Sequence, residues 1–270
     1  MNALLLLLLD SRAPAGAHHH SGTMEAAIST GLVGGLAELE DFCRARLRTS
    51  ARVAAAFAAS SCRLHADFYS ERTPAPAPAT RDALRVDDGS PSPPLPPFAS
   101  SAPAPWPRDQ AKRWDAWAEL DAELDARTPS EAMRAASRQL GGGLLRLLRS
   151  LRPAASLMTP WPQAGQAAPH HPLVLGAGVS LAGGTPELAA RAAALATCSS
   201  PASAAVRLLG LDPFAVQAML ARLAPGIDDC ARRAAKTAAD PPSALPCDGA
   251  PALDLLADFH LTAEVRLFAS

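Results

Sequence analysis

Thr128-Pro129-Ser130-Glu131-Ala132-Met133-Arg134-Ala135-Ala136-Ser137-Arg138-Gln139-Leu140-Gly141-Gly142-Gly143-Leu144-Leu145-Arg146-Leu147-Leu148-Arg149-Ser150-Leu151 is the stretch that decides the fold. A hydroxyl at the cap, a proline at the first helical position and an acid three residues after the cap make Thr128 to Glu131 a capping box. Behind it Met133, Ser137, Leu140, Leu144, Leu147 and Leu151 recur at alternating four- and three-residue steps, so they share one face of a helix suited to packing on another helix. Gly141, Gly142 and Gly143 interrupt that stripe, each at about 1 kcal/mol relative to alanine. Close approach of a neighbouring element or a local kink accounts for them, and the sequence leaves both open.

The same signals recur on either side. Downstream, Thr185-Pro186 and Asp212-Pro213 repeat the cap-then-proline arrangement and predict helix starts, the second helix carrying Val216, Leu220 and Leu223 on one side. A terminal helix is expected from about Leu253. Upstream, a helix opens in Ser21-Gly22-Thr23-Met24-Glu25 and ends near Gly31, a second covers Leu36 to Leu47, and a third carries Val53, Phe57, Leu64 and Phe68. Another runs from Asp109 to Arg127 with Trp114, Trp117, Leu120 and Leu124 on one face. Between residues 73 and 107 the pattern gives way to Pro, Ala and Ser, which neither sustain helical hydrogen bonds nor bury much surface. This segment reads as a disordered insertion, with a proline-motif ligand as the alternative.

Composition agrees with these patterns. Hydrophobic residues make up 49% of the 270 and aromatics 4%, the apolar content being mostly Ala and Leu, which favour helix over strand. The expected fold is therefore all-α: a single compact multi-helix bundle interrupted by the insertion at 73–107. A net charge of -1 gives no basic field for a phosphate backbone, so nucleic acid is not an expected partner. Cys43, Cys62, Cys198, Cys230 and Cys247 are odd in number and never form a CxxC pair, which suits a reducing cytoplasm. The run Leu4 to Leu9 lacks a preceding Lys or Arg and is followed at once by Asp10 and Arg12, so it reads as a buried first helix and not as a secretion signal. No stretch reaches the roughly 20 apolar residues needed to span a bilayer.

Motifs for chemistry are sparse. His18-His19-His20 could offer imidazole to nickel, copper or zinc, and His18 and His20 are the metal candidates, although neighbours in an extended segment point to opposite sides. Leu173-Val174-Leu175-Gly176-Ala177-Gly178 resembles the opening of a dinucleotide fingerprint, but the third glycine position holds Leu181 and Thr197-Cys198-Ser199-Ser200 stands where a ribose-binding acid belongs. There is no GxxxxGK[ST] loop, GxSxG elbow or HExxH pair. Asp121 and Asp125 share a helical face and read as solvated surface, and His170-His171 before Pro172 reads as packing at a helix start.

Five blocks together resemble the urease accessory protein family UreF. They are Leu4 to Ala27, with its Pro14-Ala15-Gly16 turn and Ser21-Gly22-Thr23-Met24-Glu25; Arg127 to Gly141; His171-Pro172-Leu173-Val174-Leu175-Gly176; Ala204-Ala205-Val206-Arg207-Leu208-Leu209; and the actinobacterial-type tail Ala263-Glu264-Val265-Arg266-Leu267-Phe268-Ala269-Ser270. The resemblance implies a helical, homodimeric cytoplasmic scaffold, not an enzyme. It would bridge UreD (also called UreH) and the GTPase UreG and dock on apo-urease, with Ni2+ in transit and no tightly bound cofactor. Arg266, Leu267 and Phe268 in the tail, with Glu131 and Arg134, are the partner-binding candidates it points to. The alternative is a ligand-binding helical regulatory domain whose cavity Trp114 and Trp117 would line.

Overall fold

The computed structural model describes residues 23–70, 108–151 and 167–262, and every regular element among them is helical. The leucine run, His18 and His20, the insertion and the tail with Arg266, Leu267 and Phe268 lie outside the described residues. In chain order the helices are α1 (Met24–Ser29), α2 (Leu36–Arg48), α3 (Ser50–Ser70), α4 (Arg108–Ala126), α5 (Glu131–Leu151), α6 (His171–Leu181), α7 (Pro186–Leu209), α8 (Pro213–Lys236) and α9 (Pro251–Thr262), with a 3-10 turn at Pro242–Ala244. One continuous cluster of buried side chains reaches into all of them.

Helix α3 is the centre of the bundle, packed chiefly against α6 and α7 and also against α8. Its sequence explains this place: Ala51, Ala55, Ala56, Ala58 and Ala59 are all fully buried, and side chains this small let neighbouring axes come close. At the α3–α6 crossing a Cβ on Gly176 would lie 2.2 Å from the Ala58 carbonyl oxygen, and the Ser61 hydroxyl donates to the Leu173 carbonyl. Gly176 and Gly178 therefore sit inside a buried helix, where they make room for α3 and cannot form a phosphate loop.

Capping chemistry located the starts of α7 and α8, while Thr23 before α1 makes no side-chain cap bond. Thr185 accepts from the Leu188 amide at 3.2 Å and Asp212 from the Phe214 amide at 3.0 Å, each followed by proline, as expected. Val216, Leu220 and Leu223 of α8 are buried together, and Gly210, at φ 66°, ends α7 in a left-handed cap.

The start of α5 is corrected. The helix begins at Glu131, its cap is Ser130, whose Oγ accepts from the Met133 amide at 3.3 Å, and Thr128 Oγ1 instead donates back to the Leu124 carbonyl at 2.9 Å. Two hydroxyls competed for one helix end, and a tertiary contact to Ser130 decided between them.

Gly141 to Gly143 lie in an unbroken α5, and close approach is their explanation. A Cβ on Gly141 would fall 1.9 Å from the Pro169 carbonyl oxygen and 3.0 Å from the His171 nitrogen. Backbone leading into α6 thus rests directly on the glycine face of α5.

Candidate functional site

Above that glycine contact α4, α5 and the start of α6 meet in a polar junction. Arg138 of α5 donates to Asp121 Oδ2 at 2.9 Å, to Asp125 Oδ1 at 2.7 Å and to the Ala168 carbonyl at 2.8 Å. His170, fully buried, contacts Ser137 Oγ through Nδ1 at 3.0 Å and Asp125 Oδ1 through Nε2 at 3.1 Å. Its amide donates to Asp121 Oδ1 at 3.1 Å.

Asp121 and Asp125 are therefore not the solvated pair expected. Their four-residue spacing revealed a shared face, but the cation that meets them comes from a different helix. Burial pushes the Asp125 carboxyl up, and the hydrogen bonds from Arg138 and His170 outweigh it, leaving it below the usual carboxylate range. Burial, with the Arg138 charge beside it, holds the His170 imidazole below its ordinary value. A neutral His170 can donate Nε2–H to Asp125 while Nδ1 accepts from Ser137, so every polar atom of the ring is used in joining three helices. The packing role expected for His170 is what its contacts perform.

A second node holds the lower end of α4. Arg127 donates to the carbonyls of Pro242, Ser243 and Leu245 and to Glu123, and its guanidinium lies 5.5 Å from the centroid of the Phe57 ring. A planar, always-charged fork suits this cluster of carbonyl acceptors. Beside it Arg134 donates to the Thr128 and Pro129 carbonyls, both at 2.7 Å, so this partner candidate is turned into the turn before its own helix. Glu131 stands exposed in the first turn of α5.

Helix α9 closes the other side of the α5 cap. Ser130 Oγ donates to Asp258 Oδ1 at 2.7 Å, and the Ser130 amide donates to Asp254 Oδ1 at 3.4 Å. Leu253 and Ala257 face inward. On the outer side Leu255 and Phe259, four residues apart, are 71% and 51% exposed, although each could bury a large apolar area. Sequence reading did not single out this pair. Apolar residues surround α9 on several sides in the order Leu253, Leu255, Leu256, Ala257, Phe259, which hides the outward face.

Trp117 is buried in the common core, while the Trp114 side chain lies outside the described part of the structure. Among the described residues no three His, Cys, Asp or Glu side chains stand close enough together to hold a metal ion. Cys43, Cys62, Cys198 and Cys230 are buried free thiols, and Cys247 is exposed. No helix among the described residues is long and apolar enough to cross a membrane.

Comparison with known proteins matches the UreF family model to residues 33–224. The urease accessory protein UreF of Mycolicibacterium vanbaalenii (strain PYR-1) is 37% identical over 268 residues, covering 99% of this chain and 98% of its own length. The protein of the same description from Mycobacterium marinum is 36% identical with the same coverage. That from Mycobacterium tuberculosis (strain H37Ra) is 34% identical, again over 99% and 98% of the two chains.

Proposed function

This chain belongs to the UreF family of urease accessory proteins, and from that premise we propose that it is a non-catalytic scaffold bridging UreD (UreH) and the GTPase UreG for nickel delivery to apo-urease. The observation that carries the reading is the near-full-length likeness to urease accessory proteins UreF, and the 71% exposed Leu255 on the outer face of α9 marks that face as the docking surface. Apolar anchors of this kind contribute to association by leaving water at an interface. Arg266, Leu267 and Phe268 of the tail are further partner-binding residues in this reading, and Glu131 adds an exposed acid in the first turn of α5.

Nickel is cargo in this scheme. A scaffold that passes it onward gains nothing from holding it tightly, so a resident set of ligands is not required, and His18 and His20 are at most transient contacts. The scaffold works in the cytoplasm as a homodimer, each copy presenting one α9 face. The test is size-exclusion chromatography of the purified chain with UreD and UreG. The chain is expected to co-elute with them, and a Leu255→Asp/Phe259→Asp variant with unchanged circular dichroism to lose UreD. Failure of the unaltered chain to join either partner would refute the scaffold reading, and undiminished co-elution of the variant would refute the assignment of this face.

A further inference from the structure

A cleft of about 420 Å3 opens between the end of α2, the start of α3 and the second half of α8. Its wall carries four arginines, Arg44 and Arg48 from α2, Arg52 from α3 and Arg233 from α8, and a single acid, Asp229. The whole chain has a net charge of -1, so this excess of positive charge is local. A cleft lined mainly by one sign of charge concentrates the field of its walls and draws in ions of the other sign.

Helix dipoles explain part of the pattern. Arg48 and Arg233 lie in the last turns of α2 and α8, where cations are favoured. Arg52 does not fit, because it stands in the first turn of α3, where a positive charge is disfavoured. Only Thr49, at φ -126° and ψ -100°, separates the two helices, so Arg44, Arg48 and Arg52 reach one cleft across a break in the helical path.

Acid partners use only a small share of the donors on these arginines. Arg44 donates through one nitrogen to Glu40 at 2.5 Å, Arg52 through one to Asp248 at 2.9 Å and Arg233 through one to Asp229 at 2.7 Å. Arg48 has no ion-pair partner among the described residues. A guanidinium carries several N–H donors, so most of those around the cleft remain for a ligand. Surface ion pairs contribute little, so a ligand can redirect the paired arginines at small cost. One carboxylate fills a single guanidinium fork, whereas a chain of phosphates has oxygens for several forks at once. Leu47 and Ala234 add an apolar wall beside the charges, and the volume is that of a small-molecule site.

We propose that the cleft between α2, α3 and α8 binds a small molecule carrying a pyrophosphate or longer phosphate chain, held by Arg44, Arg48, Arg52 and Arg233. The site is distinct from the α9 face and gives a docking protein a small-molecule input.

The test is isothermal titration calorimetry of the full-length chain with inorganic pyrophosphate and, in parallel, with ADP, in about 0.15 M salt. Saturable binding of one anion per chain, with Kd below about 1 mM, is expected. ADP binding more tightly than pyrophosphate would support a ligand whose organic part lies against Leu47 and Ala234. ADP binding no more tightly would support the free inorganic phosphate chain as the ligand. Arg48→Glu breaks no ion pair among the described residues and is expected to weaken binding at least about tenfold. Arg149→Glu, exposed on α5 outside the cleft, makes the same change in net charge and should leave binding as it was. Circular dichroism checks the fold of both, and Arg48→Gln, expected to weaken binding several-fold, replaces Arg48→Glu if the reversed charge disturbs folding. Absence of saturable binding to the unaltered chain would overturn the proposal, as would equal losses in the Arg48 and Arg149 variants or undiminished binding in a folded Arg48 variant.

Discussion

Gly141 of α5 and Pro169, just before α6, are in backbone contact: a methyl group on Gly141 would lie 1.9 Å from the Pro169 carbonyl oxygen. Alanine is ordinarily worth about 1 kcal/mol over glycine inside a helix. Here the obstacle is backbone and cannot swing aside, so Gly141→Ala is expected to lose about 1–3 kcal/mol of stability overall, measured by urea denaturation. Gly226 on exposed α8 is the control, since its added methyl would meet only Leu47 Cδ1 at 3.5 Å. Gly226→Ala should gain up to about 1 kcal/mol. A stabilised Gly141→Ala would mean that the two elements do not touch as described.

Arg127 joins α4 to the turn at Pro242–Ala244 through three carbonyls and covers Phe57. Truncation leaves these acceptors without their charged donor, so Arg127→Ala is expected to cost about 3 kcal/mol. Arg127→Lys should recover less than half of it, because an ammonium cannot serve three carbonyls and stack on a ring together. Thermal denaturation of both variants gives the comparison, and full rescue by lysine would contradict the role given to the fork.

Ser130 and Thr128 compete for the start of α5, and the structure gives the cap to Ser130. Ser130→Ala should cost about 1–2 kcal/mol, losing both the Met133 amide contact and the bond to Asp258. Thr128→Ala removes only a bond back to Leu124 and should cost clearly less. Equal losses, or the reverse order, would return the cap to Thr128.

His65 of α3 is buried beside Ser180, with its Nδ1 2.9 Å from Ser180 Oγ, and burial pushes its pKa down to about 4 from an ordinary 6.5. A neutral histidine in the folded state binds fewer protons than the unfolded chain between those values. Stability is therefore fully present above about pH 6.5 and falls as the pH drops toward 4, by about 2 kcal/mol from this group at pH 5. His170, also held below its ordinary value, acts in the same direction. Urea midpoints at pH 7.5 and pH 5 should show the loss, and His65→Gln should flatten it. An unchanged slope in that variant would remove His65 from the account.

Local chemistry was legible in the sequence and tertiary pairing was not. Thr185 and Asp212 cap their helices because each needs only its own next three residues. The glycines of α5 announced that something approaches, but nothing local identified it as the Pro169 carbonyl. Asp121 and Asp125 were readable as neighbours, whereas Arg138 reaches them only once α4 and α5 lie side by side. Ser130 gained the cap through Asp258, more than a hundred residues downstream. Leu255 and Phe259 escaped notice because an apolar residue's exposure depends on what the rest of the bundle covers.

The most direct measurement is the nickel content of urease purified from a strain lacking this chain and complemented either with the unaltered sequence or with the folded Leu255→Asp/Phe259→Asp variant. The scaffold account predicts nickel-loaded urease in the first case and nickel-poor urease in the second and in the uncomplemented strain. Full metallation of urease in the uncomplemented strain would contradict it.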